Sequence, residues 1–468
     1  MIKFGTGGFR GVIGDDFTKS NVQLVAQGLC DIIREDGSDK PVPVGYDYRF
    51  ESGFFAEWIA EVLAANGVKC LLYTQSLPTP AIMTAVRDEA LDYGIMITAS
   101  HNPYYFNGVK MFVRGGMDAD VEFTDRLEKK VLAVDRVKTS DAAVAKEKGL
   151  IVPYSNKEKY LQNILDFISP TVRGSGVKIL FDNLCGVGAS CIEPLFDKLG
   201  IKNFSALNCR HDAFFGFVNP NPTREVMERL ADTVVSEKYD FAMATDSDSD
   251  RLGILDEKGN YVSSNDILAC LYYYLIKYRG MKGDVVKNCA TSVLIDKVAA
   301  NAGYACHEVD VGFKNISSAI KKYDALVGGE SSGGLTVRGY IFGKDSVFSS
   351  ALFTEMVTVM KKPVSEIVKE VHDFAGYRYS YVEDEIRFDG ESEESITARI
   401  ASASPEFDRE LVRSVRLNRN FKYMFANDCW AMIRLSGTEP VFRVCAEFET
   451  EAAARENIER LRTLILDK

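Results

Sequence analysis

Histidine is scarce, cysteines never come in close pairs, and no apolar run is long enough for a membrane. Only four histidines occur, at 101, 211, 307 and 372, which argues against a histidine-built metal site. The ten cysteines are scattered singly with no Cys-x-x-Cys pair, so neither a zinc ribbon nor a dithiol redox centre is indicated. Cys70, Cys289 and Cys445 fall in segments predicted to be regular structure, where a reduced thiol packs as a small hydrophobe; a cytoplasmic location is expected. The most apolar stretch, Ile267 to Ile276, is too short to cross a bilayer and reads as a buried helix. The N-terminus carries no basic-then-apolar pattern, so no export signal is expected. A basic surface is missing too: the formal charge is −11 over 468 residues. That excludes nucleic acid as the main partner, and any anionic ligand needs a local basic pocket. No low-complexity segment or short repeat is present.

What is present has the balance of a globular protein, with 46% hydrophobic and 26% charged residues. The length suggests about three or four domains. The first stretch alternates a predicted helix (22–34), strand (42–46), helix (54–65), strand (69–73), helix (81–89) and strand (94–98). The alternation restarts after the charge-rich run 139–149, with strand 178–181, helices 191–198 and 225–237, and strand 241–244. A third round starts near Leu252, with a turn at Gly259-Asn260, helix 266–278, strand 284–287, helix 293–300 and strand 325–328. Beyond about Gly376 strands follow one another (379–382, 412–417, 429–435, 442–448), and a charged helix, 452–466, closes the chain. The expected class is therefore α/β: three related α/β domains with mixed sheets (1–145, 146–254, 255–373) and a C-terminal α+β domain (374–468).

Each domain offers one polar loop. In the second, Asp246, Asp248 and Asp250 alternate and Arg251 follows, between two apolar runs. Three carboxylates this close repel unless a cation or bound donors neutralise them, and hard cations such as Mg²⁺ or Ca²⁺ suit them. An EF-hand starting at Asp246 fails where Arg251 replaces the turn glycine and where strands replace the flanking helices. In the first domain Thr98-Ala-Ser-His-Asn-Pro103 leaves a strand with the Ser100 hydroxyl presented for nucleophilic or phosphate-carrying work. In the third, Gly328-Gly-Glu-Ser-Ser-Gly-Gly334 offers Glu330 and Ser332 to sugar hydroxyls. In the fourth, Arg434-Leu-Ser-Gly-Thr-Glu-Pro440 reads as an anion clamp of guanidinium, hydroxyls and backbone N–H groups. Near the start, Gly5-Thr-Gly-Gly-Phe-Arg-Gly11 adds one cation, Arg10, without the dinucleotide spacing. Taken singly, each loop also reads as an ordinary solvated turn. Together they supply what phosphoryl transfer on a sugar needs.

These motifs, in this order from Gly5 to Pro440, resemble those of the α-D-phosphohexomutase family, which includes phosphoglucomutases and phosphomannomutases. Asp246 to Arg251 matches the family's Asp-x-Asp-x-Asp-Arg, and Gly329 to Gly333 its Gly-Glu-x-Ser-Gly. The resemblance implies four domains around a central cleft, with Ser100 as phosphoserine. It also implies Mg²⁺ on Asp246, Asp248, Asp250 and a phosphoserine oxygen. Glu330 and Ser332 would grip the sugar, with Lys314 also facing substrate, while Arg434, Ser436, Gly437 and Thr438 hold the phosphate already present. Arg10, His101, Lys110 and Arg251 would surround the transferred group, Lys110 being a candidate proton shuttle. The implied activity interconverts hexose 1- and 6-phosphates through a hexose 1,6-bisphosphate, with glucosamine or N-acetylglucosamine phosphate as the alternative substrate. A metal-dependent sugar phosphatase and a non-catalytic sugar-phosphate or calcium binder are the rivals from other classes. The expected partner is a small sugar phosphate, with no nucleic acid or membrane, for a monomer or homodimer. Two positions depart from the family: Gly334, where some members carry histidine, and Gly7, often acidic or hydroxylic; both bear on the substrate.

Overall fold

The computed structural model describes the chain apart from residues 1, 3, 6, 7, 389, 390, 404–406, 408, 418, 419, 436–440, 467 and 468. Three of its sheets repeat one arrangement. In the first, Val42–Tyr46 lies between the parallel strands Cys70–Tyr73 and Tyr93–Ile97, and Phe106–Val113 pairs antiparallel with Tyr93–Ile97. In the second, Ile179–Asp182 lies between the parallel strands Phe204–Leu207 and Phe241–Thr245, and Leu252–Leu255 runs antiparallel to Phe241–Thr245. In the third, Val285–Asn288 lies between Cys306–Val309 and Val327–Gly329, and Leu335–Val337 returns antiparallel. The Ser100, Asp246–Asp250 and Glu330 loops are thus the same connection in three related sheets, from third strand to antiparallel fourth. The last sheet is antiparallel, in the order Ser380–Arg387, Val441–Phe448, Trp430–Leu435, Asn420–Phe425, Leu411–Leu417, with the helix Glu451–Leu466 packed on it. Three α/β domains and a fourth, sheet-containing domain are therefore present, as expected.

The sheets reach past two of the boundaries expected from sequence. Ile151–Tyr154 extends the first sheet beyond residue 145, because it lies parallel on Cys70–Tyr73. Tyr261–Val262 closes the second sheet beyond residue 254, since the turn at Gly259-Asn260 folds it back onto Leu252–Leu255. The helix expected over 225–237 is two pieces, Arg224–Glu228 and Ala231–Glu237. A tight turn, Leu230 N–H to Met227 O at 2.9 Å, buries both side chains under the sheet between them. Phe106–Val113 and the helices Phe313–Tyr323, Ser346–Met360 and Val364–Ala375 went unpredicted. Ser346–Met360 is buried on nearly every side, and its polar row of Ser346, Ser350, Thr354 and Thr358 consists of small hydroxyls, the last three bonded back along the helix, which blurs the period by which a surface helix is recognised.

Side-chain caps start the helices that frame the site: Thr18, Asp120, Ser263 and Asp345 accept from the N–H groups of Asn21, Phe123, Asp266 and Phe348. One apolar cluster runs from Leu71 to Tyr377, across all three α/β domains. Within it the buried Glu355 accepts from Tyr274 Oη and Ser169 N–H, each at 2.6 Å, tying the second domain to the third. Among the described residues no helix is long and apolar enough to cross a membrane.

The fourth domain docks on the third through buried polar contacts. Glu447 accepts from the Trp430 indole N–H at 2.7 Å, from Val293 N–H at 2.9 Å and from the Ser292 hydroxyl. Lys422 donates to Cys289 O and Glu308, both at 2.8 Å. Truncating a buried acceptor strands its donors in a dry interface. Glu447→Ala is expected to cost about 3 kcal/mol by denaturant unfolding, with Glu447→Gln recovering part of it. A change near zero would show that the contact is not a structural tie.

Candidate active site

Four residues after Gly45 in the first domain lies Arg49, fully buried, and it organises the Ser100 loop. Its guanidinium donates to Pro103 O at 2.8 Å, Phe106 O at 2.9 Å, Asn102 O at 2.6 Å, and also to Ser100 O. Asp47 pairs with it at 3.4 Å and accepts from the Thr98 hydroxyl at 2.6 Å. Thr98 Oγ1 in turn accepts the Ser100 N–H at 2.8 Å. Burial pulls the guanidinium down to about 10, still charged at neutral pH. The bracing matters because Ser100 sits at φ +52°, a left-handed conformation that costs a non-glycine residue roughly 1 kcal/mol or more. So held, the Ser100 side chain is aimed out of its own domain.

It points at the second domain. Ser100 Oγ donates to Asp246 Oδ2 at 2.8 Å, and Ser100 is only 1% exposed. The other Asp246 oxygen accepts the N–H groups of Asp250 at 2.9 Å and Arg251 at 3.0 Å, which curls the acidic loop around it. Ser249 completes the curl at φ +58°. Gly188 presses on it from behind, where a Cβ would lie 2.6 Å from Thr245 Oγ1 and 2.7 Å from Ser249 Oγ. Asp248 Oδ2 accepts from Thr79 Oγ1 and Lys110 Nζ, both at 2.6 Å; Asp250 Oδ2 accepts from Lys110 at 2.8 Å. Lys344 of the third domain stands 3.3 Å from the same Asp250 oxygen.

The three carboxylates offer ligand atoms within 4.8 Å of one another, all buried. Among the described residues, Asp248 Oδ1 and Asp250 Oδ1 have no hydrogen-bond partner. An all-oxygen set with two enclosed, unpaired carboxylate oxygens fits a hard divalent cation. Burial first, then the charges of Asp250 and Asp248, push the Asp246 carboxyl well above the usual range. Burial and the Asp250 charge oppose ionisation of Asp248, and burial opposes that of Asp250; Lys110 with the Thr79 hydroxyl at the first, and Lys110 with Lys344 and Arg251 at the second, bring both low. Lys110 responds in kind: burial would lower it, yet Asp248 and Asp250 hold it above its ordinary value.

Arg10, His101 and Arg251 gather at the same place. Arg10 donates to Asn102 Oδ1 at 2.6 Å. Arg251 lies 4.0 Å from Asp250 Oδ1 and 3.5 Å from Asn221 Oδ1. His101 has an enclosed Nδ1 without a hydrogen-bond partner among the described residues, and burial, with Arg251 and Arg10 adding, pushes it well below its ordinary value. The Glu330 loop joins by its backbone, Leu252 N–H donating to Gly333 O at 3.2 Å. Glu330 accepts from Ser332 Oγ at 2.6 Å and faces Lys344 at 3.6 Å. Lys314 lies instead among the charges of Asp120, Asp118 and Asp125 of the first domain, and no hydrogen bond ties it to Glu330 among the described residues. Arg434 is the penultimate residue of the strand Trp430–Leu435, with no hydrogen bond or ion pair to Ser100 or the acidic loop among the described residues. Ser436, Gly437, Thr438 and the departure at Gly7 lie outside the described residues.

Sequence reading missed Asp47, Arg49, Thr79 and Lys344. The signal for the first two was an opposite-charge pair, Asp47-Tyr-Arg49, just past a strand end; Thr79 and Lys344 gave none. Arg49→Lys keeps the charge but cannot span four carbonyls. Backbone amides of 99–102 are expected to exchange about tenfold faster in that variant by hydrogen-exchange mass spectrometry, an opening easier by roughly 1.4 kcal/mol. Unchanged protection would remove Arg49 from this role.

Comparison with known proteins agrees with this geometry. Models of the phosphoglucomutase/phosphomannomutase α/β/α domains I, II and III match residues 1–138, 158–259 and 263–374. A "Phosphoglucomutase/phosphomannomutase" of Thermococcus kodakarensis is 27% identical over 460 residues, covering 97% of this chain and 96% of that one. A "Probable phosphoglucosamine mutase" of Methanothermobacter thermautotrophicus is 27% identical over 467 residues, covering 98% and 96%. The open form of the Paramecium phosphoglucomutase parafusin shares the fold, with a TM-score of 0.82 at 23% identity over 99% of this chain and 94% of that one. Three matched domains in order, with their three equivalent loops meeting at one buried acidic centre, identify the chain as a member of the phosphoglucomutase/phosphomannomutase family of phosphohexomutases.

Proposed function

We propose that this chain interconverts hexose 1-phosphate and hexose 6-phosphate, of glucose or mannose, by way of a phosphorylated Ser100 and a hexose 1,6-bisphosphate. The observation that carries the reading is the 2.8 Å contact of Ser100 Oγ with Asp246, made across two domains and out of water. A serine so placed can hand a phosphoryl group to an acceptor bound in the same enclosure and take one back.

In the forward half, the bond between Ser100 Oγ and phosphorus breaks as a sugar hydroxyl forms its own bond to phosphorus. The hydroxyl proton leaves and Ser100 Oγ regains one, with Lys110 and His101 the nearby groups to exchange them. In the return half the bisphosphate presents its other phosphoryl group, and the same atoms run in reverse. Arg10 and Arg251 supply positive charge beside the group in flight. Mg²⁺, held by Asp246, Asp248, Asp250 and a phosphoserine oxygen, would withdraw charge from that group when bound. Glu330 and Ser332 would orient the sugar, with Lys314 contributing if the domains move. Arg434, Ser436, Gly437 and Thr438 would clamp the phosphate that is not in transfer. Oriented binding makes the second transfer effectively intramolecular.

Relatives named as mutases favour a sugar acceptor over water and weigh against the phosphatase reading. An amino-sugar phosphate is the second substrate reading, favoured by relatives so named. Ten unpaired cysteines, most of them buried, suit a cytoplasmic protein.

Coupled assays with glucose, mannose and glucosamine phosphates, a trace of bisphosphate and Mg²⁺ test the proposal. Wild-type protein is expected to yield isomerised sugar phosphate with little free phosphate, and a phosphoryl adduct on the peptide containing Ser100. Ser100→Ala is expected to keep its fold and lose turnover by more than about 10³-fold. Full turnover in that variant, or free phosphate as the main product, would overturn the mechanism.

A further inference from the structure

Gly334 and Lys344 form one unit. A Cβ at Gly334 would lie 2.1 Å from Lys344 Cδ and 2.7 Å from its Cγ, so only glycine leaves room for the lysine stem. The threaded stem carries the ammonium to 3.3 Å from Asp250 Oδ2 and 3.6 Å from Glu330 Oε1, with the side chain 15% exposed. The backbone next to it is pinned on both counts that matter. Ser346 N–H donates to Ser249 O at 3.1 Å, in the acidic loop, and Asp345 caps the helix Ser346–Met360. The cation is therefore fixed between the acidic loop and Gly328–Gly334, and it faces Glu330, the one carboxylate in that segment.

We infer that Lys344, admitted by Gly334, is a specificity-determining residue that neutralises Glu330 and selects uncharged hexose phosphates over amino-sugar phosphates. The inference rests on the mutase reading above and extends it to the class of sugar. An unpaired Glu330 would attract the protonated amine of a glucosamine phosphate. Paired with Lys344 it offers that amine little, and the neighbouring ammonium repels it, since like charges a few ångströms apart in a partly buried site interact strongly. A neutral hydroxyl has no such conflict, because a carboxylate–ammonium pair still offers it both an acceptor and donors.

The test compares kcat/KM for glucose 6-phosphate and glucosamine 6-phosphate in wild-type protein, Lys344→Met and Gly334→Ala. Lys344→Met keeps a flexible stem without the charge; Gly334→Ala displaces the stem with the lysine intact. Wild-type protein is expected to prefer the glucose phosphate. Both variants should shift the ratio toward the glucosamine phosphate, by about tenfold in Lys344→Met. A purely structural role would lower both substrates in parallel, so a ratio unchanged within about twofold in both variants would overturn the inference. A wild-type preference for glucosamine phosphate would overturn it as well. Absence of isomerase activity on every sugar would instead remove the mutase reading, and this inference with it.

Discussion

Asp246, Asp248 and Asp250 are a concentration of like charge that the chain cannot bury unaided. Two carboxylates about 4 Å apart repel by roughly 4 kcal/mol at an effective dielectric near 20, and three repel more. Much of the relief comes from outside the loop's own domain. Lys110, Thr79 and Ser100 reach in from the first domain and Lys344 from the third. Within the loop the backbone N–H groups of Asp250 and Arg251 contribute, as does the Arg251 guanidinium, 4.0 Å from Asp250 Oδ1. The same attraction thus seats the domains against one another and assembles the groups that act on a phosphoryl group. What remains unpaired, one oxygen each of Asp248 and Asp250, is what a divalent cation would take up.

Repetition of one sheet arrangement explains why three loops so distant in sequence can meet. In each α/β domain the chain leaves the third strand, turns, and returns antiparallel, and each time the polar residues sit on that turn. Apolar packing across the domains then holds the three turns face to face. Two of those turns carry strain: Ser100 and Ser249 are both left-handed, and each is braced by its surroundings.

Much of this was legible in the letters. Strands such as Val42–Tyr46 and helices such as Glu451–Leu466 carry their period openly, and the Ser100 and Asp246–Asp250 loops announce themselves by breaking strands with polar residues. Ser346–Met360 was hidden because a helix buried on nearly every side shows little contrast between its faces, and Phe106–Val113 because it follows its loop without a polar boundary. Arg49 and Lys344 were hidden for another reason. Their importance lies in what they touch, four carbonyls of one loop and carboxylates of two others, and contacts across tens to hundreds of residues leave no local mark. The short edge strands Ile151–Tyr154 and Tyr261–Val262 went unread on similar grounds, since pairing partners, not composition, decide which sheet a short strand joins.

The central claim is that residue 100 and the acidic triplet serve one cation site. The most direct measurement is the ³¹P resonance of phosphorylated Ser100 as Mn²⁺ is titrated into the intact protein. The signal is expected to broaden beyond detection near one equivalent, because a phosphoserine oxygen would share the paramagnetic ion with Asp246, Asp248 and Asp250, and Asp248→Asn should weaken the effect. A phosphoserine line that stays sharp while Mn²⁺ binds those carboxylates would contradict the claim.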